Sequence, residues 1–164
     1  TYMVGDQRFA GKRPDVLTFR TEPLGNDVTL AGPIGVRLHV SSSGTDSDFD
    51  LKLIDELPDG TQQLVRGEPM RAKFRNSFSN PEPLQPNIST PLRFDMPDVH
   101  HTFVKGHRIT VQVQSSWFPL TDRNPQTFTT IHSAPPQAFI KATQRIFHTP
   151  DQPSMLVLPV WTGQ

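Results

Sequence analysis

The chain has 164 residues, with sixteen basic and sixteen acidic side chains, no cysteine, and seventeen prolines against ten glycines. That length suits one domain, residues 1–164, able to bury about two-thirds of its extended surface. Zero net charge leaves no field to gather nucleic acid or an anionic membrane, and no apolar run approaches the roughly 20 residues that span a bilayer. Absent cysteines exclude disulfides and thiolate metal sites without fixing a compartment. No basic-then-apolar leader precedes the first strand, and the opening Thr1-Tyr2 reads as the start of an excised domain.

Prolines scattered between short apolar runs predict many rigid connections, and the runs have period two. Leu17 and Phe19 share one face of the first predicted strand; Val28 and Leu30 open the next. Gly32-Pro33 and the run Ser41 to Gly44 read as turns, since neither leads into the lysine and helix that phosphate binding needs. Val36, Leu38 and Val40 alternate with Arg37 and His39, and Phe49, Leu51 and Leu53 oppose Asp50 and Lys52. Each pattern predicts one face in a core and the other in water. Pro58-Asp59-Gly60 makes a turn, after which Met70, Ala72 and Phe74 alternate with Arg71, Lys73 and Arg75. Leu92, Phe94 and Met96 alternate with Arg93 and Asp95, then Ile109, Val111 and Val113 with Thr110 and Gln112, and Leu156, Leu158 and Val160 close the chain. Seven to nine half-buried strands need a second sheet to cover them, so the fold is predicted to be all-β, a sandwich of jelly-roll type. The long connections 76–91 and 120–136 are where any helical turn would lie.

Several constellations invite a chemical reading. Asp46, Asp48 and Asp50 occupy the first three ligand positions of a calcium loop, yet Leu51 stands where glycine is required and Leu57 where a bidentate carboxylate belongs. They read instead as solvated turn acids. His100, His101 and His107 suggest a metal cluster, but neighbours on a strand point to opposite faces, which favours structural or surface roles. Ser115 and Ser116 end a strand with no glycine beside them, and no G-x-S-x-G elbow occurs in the chain. No catalytic residue, metal or cofactor is therefore expected. Arg66, Arg71, Lys73 and Arg75 form a basic cluster, three of them predicted on the polar side of one strand, where charge discourages edge-to-edge pairing.

The most unusual stretch follows the Ile109–Val113 pattern: Trp117 and Phe118 precede a proline, and Asp122, Arg123, Asn124 and Pro125 crowd together. Turn chemistry explains the Asp, Asn and Pro but not two large aromatics. SSWFPLTDRNPQT (residues 115–127) resembles the strand-and-loop signature of the C-terminal, non-catalytic jelly-roll domain in the X-Pro dipeptidyl-peptidase family of serine hydrolases. That family includes α-amino-acid ester hydrolases, glutaryl-7-aminocephalosporanic-acid acylases and cocaine esterase. Residues 2–24, 28–60, 64–78 and 98–108 resemble it too, so the likeness covers nearly the whole chain.

The resemblance implies a galactose-binding-domain-like jelly roll serving an α/β-hydrolase catalytic domain on the same polypeptide, with oligomeric contacts of the parent also in view. It implies a soluble, bacterial-type parent, cytoplasmic or exported. The parent's triad would lie on the separate hydrolase domain, and no position here matches its motifs. Trp117, Phe118, Asp122, Arg123 and Asn124 become candidates for contact with that domain, and Trp117, Phe118, Trp161 and Tyr2 are the aromatics expected to escape the core. The rival reading is a carbohydrate-binding sandwich that uses Trp117 and Trp161 as a stacking platform.

Overall fold

The computed structural model describes residues 5–163, so Tyr2 lies outside the described residues. Alternation yields eight strands among them: β1 (Val16–Arg20), β2 (Val28–Ser42), β3 (Asp48–Glu56), β4 (Gln62–Arg71), β5 (Thr90–Phe103), β6 (Arg108–Gln114), β7 (Gln144–Phe147) and β8 (Met155–Val157). They form two antiparallel sheets, one ordered β1-β6-β3-β4 and the other β5-β2-β7, with β8 also paired to β2. The fifteen-residue β2 is the spine of the second sheet. One of its edges pairs with β5, and the other is shared between β8 at 35–37 and β7 at 39–42. Phe49, Leu51 and Leu53 of β3 join Ile34, Val36, Leu38 and Val40 of β2 and Leu92 and Met96 of β5 in one core cluster. This is the all-β, jelly-roll sandwich that the period-two pattern predicts.

β3 departs furthest from expectation. All nine of its residues are buried, so Asp50 and Lys52 do not face water. The outer face of its sheet is roofed by two segments, the stretch carrying Gln7 and a one-turn helix α1 (Arg8–Gly11), and the chain leaving β6. Lys52 Nζ donates to Gln7 Oε1 at 2.9 Å and lies 4.7 Å from the Trp117 ring centroid. A polar strand face thus becomes a second, polar interior.

The strand expected through Arg75 stops at Arg71, and Ala72–Phe74 forms a single 3-10 turn. The cause lies in the preceding loop: Ala72 N–H donates to the Ser47 carbonyl at 2.9 Å and Lys73 N–H to Asp46 Oδ1 at 3.1 Å. The supposed ladder is therefore broken up. Arg75 turns back to the carbonyls of Ala72, Glu82 and Pro83, and Lys73 is buried. Gly32-Pro33 is not a turn but a bulge inside β2, where the register with β5 shifts between Gly32 and Ile34. Gly32 has φ +128, a region that glycine tolerates, and the bulge accommodates a proline that cannot donate to the ladder. Leu158 and Val160 lie past the end of β8, with Val160 bridged to Leu30. Of the long connections, 120–136 carries a 3-10 turn at Ile131–Ser133 and reaches a second at Pro136–Ala138. No helix among the described residues is long and apolar enough to cross a membrane.

Candidate functional site

The segment after β6 is fixed at two points. Trp117 does not escape the core: it is 4% exposed, because β4 offers it a glycine seat. A Cβ at Gly67 would lie 2.2 Å from the Trp117 Cη2 atom, so any larger residue there would collide with the indole. Asn124, also buried, is the second anchor. Its carboxamide nitrogen donates to Asp46 Oδ2 at 3.1 Å and Asp48 Oδ1 at 2.7 Å, while its oxygen accepts from Gln126 N–H at 2.8 Å. Further bonds hold the exit: Arg71 to the Asp122 carbonyl at 3.0 Å, Lys73 to the Thr129 carbonyl at 2.8 Å, and Phe128 N–H to Thr45 Oγ1 at 2.8 Å.

Between the anchors the chain is pushed outward. Phe118 is 57% exposed, with the Arg123 guanidinium carbon 5.1 Å from its ring centroid, and Leu120, Asp122 and Arg123 are exposed beside it. Phe118 and Arg123 share the rim of an open depression of about 570 Å³ with Phe139 and Ile140, themselves nearly half exposed. Composition alone hid these last two, since nothing in the 120–142 connection says where it folds back. A second concavity, of about 430 Å³ and mostly apolar, opens between the sheets among Phe19, Leu38, Val111, Val113, Ile146 and Met155.

The anchor is electrostatic. Asp46, Asp48 and Asp50 are buried, not solvated turn acids, and the positions around the first two are taken by protein cations and amide. Lys73 Nζ lies 3.7 Å from Asp46 Oδ2, and Arg71 Nε lies 3.6 Å from Asp48 Oδ2. Burial raises the Asp46 carboxyl, with Asn124 and Lys73 opposing. Burial pushes Asp48 up to about 6 against the pull of Asn124 and Arg71, and burial together with Asp48 pushes Asp50 up to about 8. Burial, then Arg13, lowers Lys52 to about 8, with Asp50 opposing.

At the opposite end of β3, Asp55 collects two of the three histidines. His101 Nε2 lies 2.9 Å from Asp55 Oδ2 and His107 Nδ1 2.8 Å from Asp55 Oδ1, whereas His100 is exposed. The shared carboxylate, not a shared ion, brings them together; among the described residues no group of three such side chains is placed to hold a metal. Ser115 and Ser116 make no side-chain hydrogen bond to a histidine among the described residues, and Ser116 instead offers its carbonyl to Gln114 Nε2 at 3.0 Å.

Buried charges here fasten a loop to an all-β sandwich. Residues 4–157 match the family described as the X-Pro dipeptidyl-peptidase C-terminal non-catalytic domain, and the chain belongs to it. It is 38% identical over 155 residues to cocaine esterase from Rhodococcus sp. (strain MB1 Bresler), covering 94% of this chain and 27% of that protein. Among solved structures it superposes with TM-score 0.95 on an α-amino acid ester hydrolase, at 47% identity over 98% of this chain and 28% of the other. The same TM-score relates it to an aminopeptidase from a marine sediment archaeon, Thaumarchaeota archaeon, at 43% identity over 98% of this chain and 28% of that one. The chain thus spans little more than a quarter of each relative's length. It is the non-catalytic C-terminal domain of an ester hydrolase and peptidase family.

Proposed function

We propose that this domain packs against the catalytic portion of its own polypeptide through the displayed face of Phe118, Leu120, Asp122 and Arg123 with Phe139 and Ile140, and helps shape the active-site cleft there. The observation that carries the reading is the contrast along one loop: Trp117 and Asn124 are buried anchors, and between them Phe118 and Leu120 are held out half-exposed beside Asp122 and Arg123. A loop ordered at that cost in buried charge is preorganised for contact. The relatives' names, an esterase, an ester hydrolase and an aminopeptidase, support a parent that cleaves esters or amides, and their greater length supports a catalytic portion on the same chain. This domain would contribute position and cover, with the chemistry lying elsewhere.

The test is to express the catalytic portion separately and titrate it with this chain. Association, with recovery of solubility or activity, is expected; Phe118→Asp with Arg123→Glu is expected to weaken it by about tenfold or more while leaving the domain's melting temperature unchanged. Absence of binding by the unmodified chain would defeat the proposal. The carbohydrate reading is not supported: Trp161 is exposed as that reading expects, but Trp117, the other half of the platform, lies under the loop and offers no face to a sugar.

A further inference from the structure

Asp50 is a buried titratable group that the displayed face does not use. It sits mid-sheet on β3 with no exposed surface, and neither carboxyl oxygen makes a hydrogen bond among the described residues. Directly across from it on β6 is Gln114. Gln114 donates Nε2 to the Ser116 carbonyl at 3.0 Å, which fixes its carboxamide, because a carbonyl takes a bond from the nitrogen and not from the oxygen. Its Oε1 is thereby left buried without a donor. Asp48 Oδ2, two residues along the same strand face, is a further orphan, Arg71 Nε standing off at 3.6 Å. Acceptors gather here with no donor between them, and each such buried group is destabilising unless something supplies a hydrogen.

We infer that Asp50 is a carboxylic acid, not a carboxylate, at neutral pH, its hydroxyl donating to Gln114 Oε1 so that one proton ties the root of the displayed loop to the centre of the sheet. The relay runs from Asp50 O–H to Gln114 Oε1, from Gln114 N–H to the Ser116 carbonyl, and so to Trp117, the next residue. The charged groups facing Asp50 are Asp48 and Lys52 on β3 and Arg71 on β4, with the Asp46–Lys73 pair behind Asp48. Burial and Asp48 outweigh Arg71 and Lys52, and the carboxyl rises to about 8. Between the ordinary carboxylate range and that value the folded chain keeps a proton that the unfolded chain releases, so stability falls as pH rises through the interval. Above it the ionised Asp50 repels Gln114 Oε1, and the tether to Ser116 slackens. A bound cation is the competing way to satisfy these oxygens, disfavoured by Arg71 and Lys52. The inference concerns the tether alone and stands whether or not the loop meets a partner.

The test compares the chain with its Asp50→Asn variant, whose amide donates permanently, by melting temperature and by Trp117 fluorescence in a Trp161→Phe background, from about pH 6 to about pH 9. The unmodified chain is expected to lose several degrees and red-shift toward the alkaline end, relative to a variant that matches or exceeds it at neutral pH. Lys52 titrates near the same pH with opposite sign and is coupled to Asp50, so the comparison is repeated with Lys52→Met in both proteins, and the difference that persists belongs to Asp50. Equal pH profiles would overturn the inference, as would a calcium-dependent rise in melting temperature that Asp50→Asn removes. Should the variant fold poorly, the infrared carbonyl band of a protonated acid in the unmodified chain decides: a band present at neutral pH that is lost on passing through about pH 8, above the range of Asp48, supports the inference, and its absence overturns it.

Discussion

Gly67 and Trp117 are matched by contact, and the match can be tested by adding a single methyl. Alanine at 67 would place its Cβ against the rim of an indole whose ring also meets Lys52, so the ring must shift. Gly67→Ala is expected to cost about 1–3 kcal/mol, seen as a lower melting temperature with a red-shifted Trp117 emission. Asn124→Ala removes the donor shared by Asp46 and Asp48 and leaves both carboxylates short of a partner. A loss of about 3 kcal/mol is expected by denaturant titration, with faster amide exchange at Gln126, whose N–H bonded the lost oxygen. Neither residue announced this from the sequence. Asn124 reads as a turn former, and the acids reading as solvated are buried, because what covers them comes from 76–78 residues away along the chain.

At the scale of elements, Asp55 is a clamp that joins β3 of one sheet to β5 of the other and to the turn before β6. Each of its oxygens takes one imidazole, so Asp55→Asn, with a single acceptor oxygen, keeps both only if one ring switches tautomer and accepts from the amide. Amide exchange in the turn 104–107 is expected to quicken in Asp55→Asn and in His107→Ala, and a double-mutant cycle is expected to show coupling above about 0.5 kcal/mol. Additive effects would mean that the two side chains do not act through one bond. The strands themselves were legible because period two reports which side of a pleat each residue occupies. It cannot report that both sides are covered, which is why β3 read as half-wet when its outer face lies beneath Gln7 and Trp117. The end of β4 was misplaced for a similar reason: alternation continues through Arg75, but Asp46 and Ser47 capture the backbone first.

For the whole molecule, buried charge and exposed apolar surface sort to different jobs. The acids and cations of the roofed sheet hold one loop in place, and the half-exposed Phe118, Phe139 and Ile140 stand on what they hold. Substitutions on that displayed face are expected to change association and leave stability within about 0.5 kcal/mol, whereas those beneath it change both. Comparing melting temperature with binding for Phe118→Asp and Trp117→Ala separates the cases. The second is expected to lose about 3–5 kcal/mol of stability together with binding.

The arrangement of β2 imposes an order on synthesis. Its partner β5 follows within about sixty residues, but its second side is completed only by β8 and β7, contributed from 144 onward. A nascent chain therefore emerges from the ribosome with a long hydrogen-bonding rail still bare, and it stays bare until residues 144–157 have been translated. Release of the polypeptide at Thr143 would leave that rail permanently available to neighbouring molecules, and such a fragment is expected to sediment as aggregate in place of the folded domain.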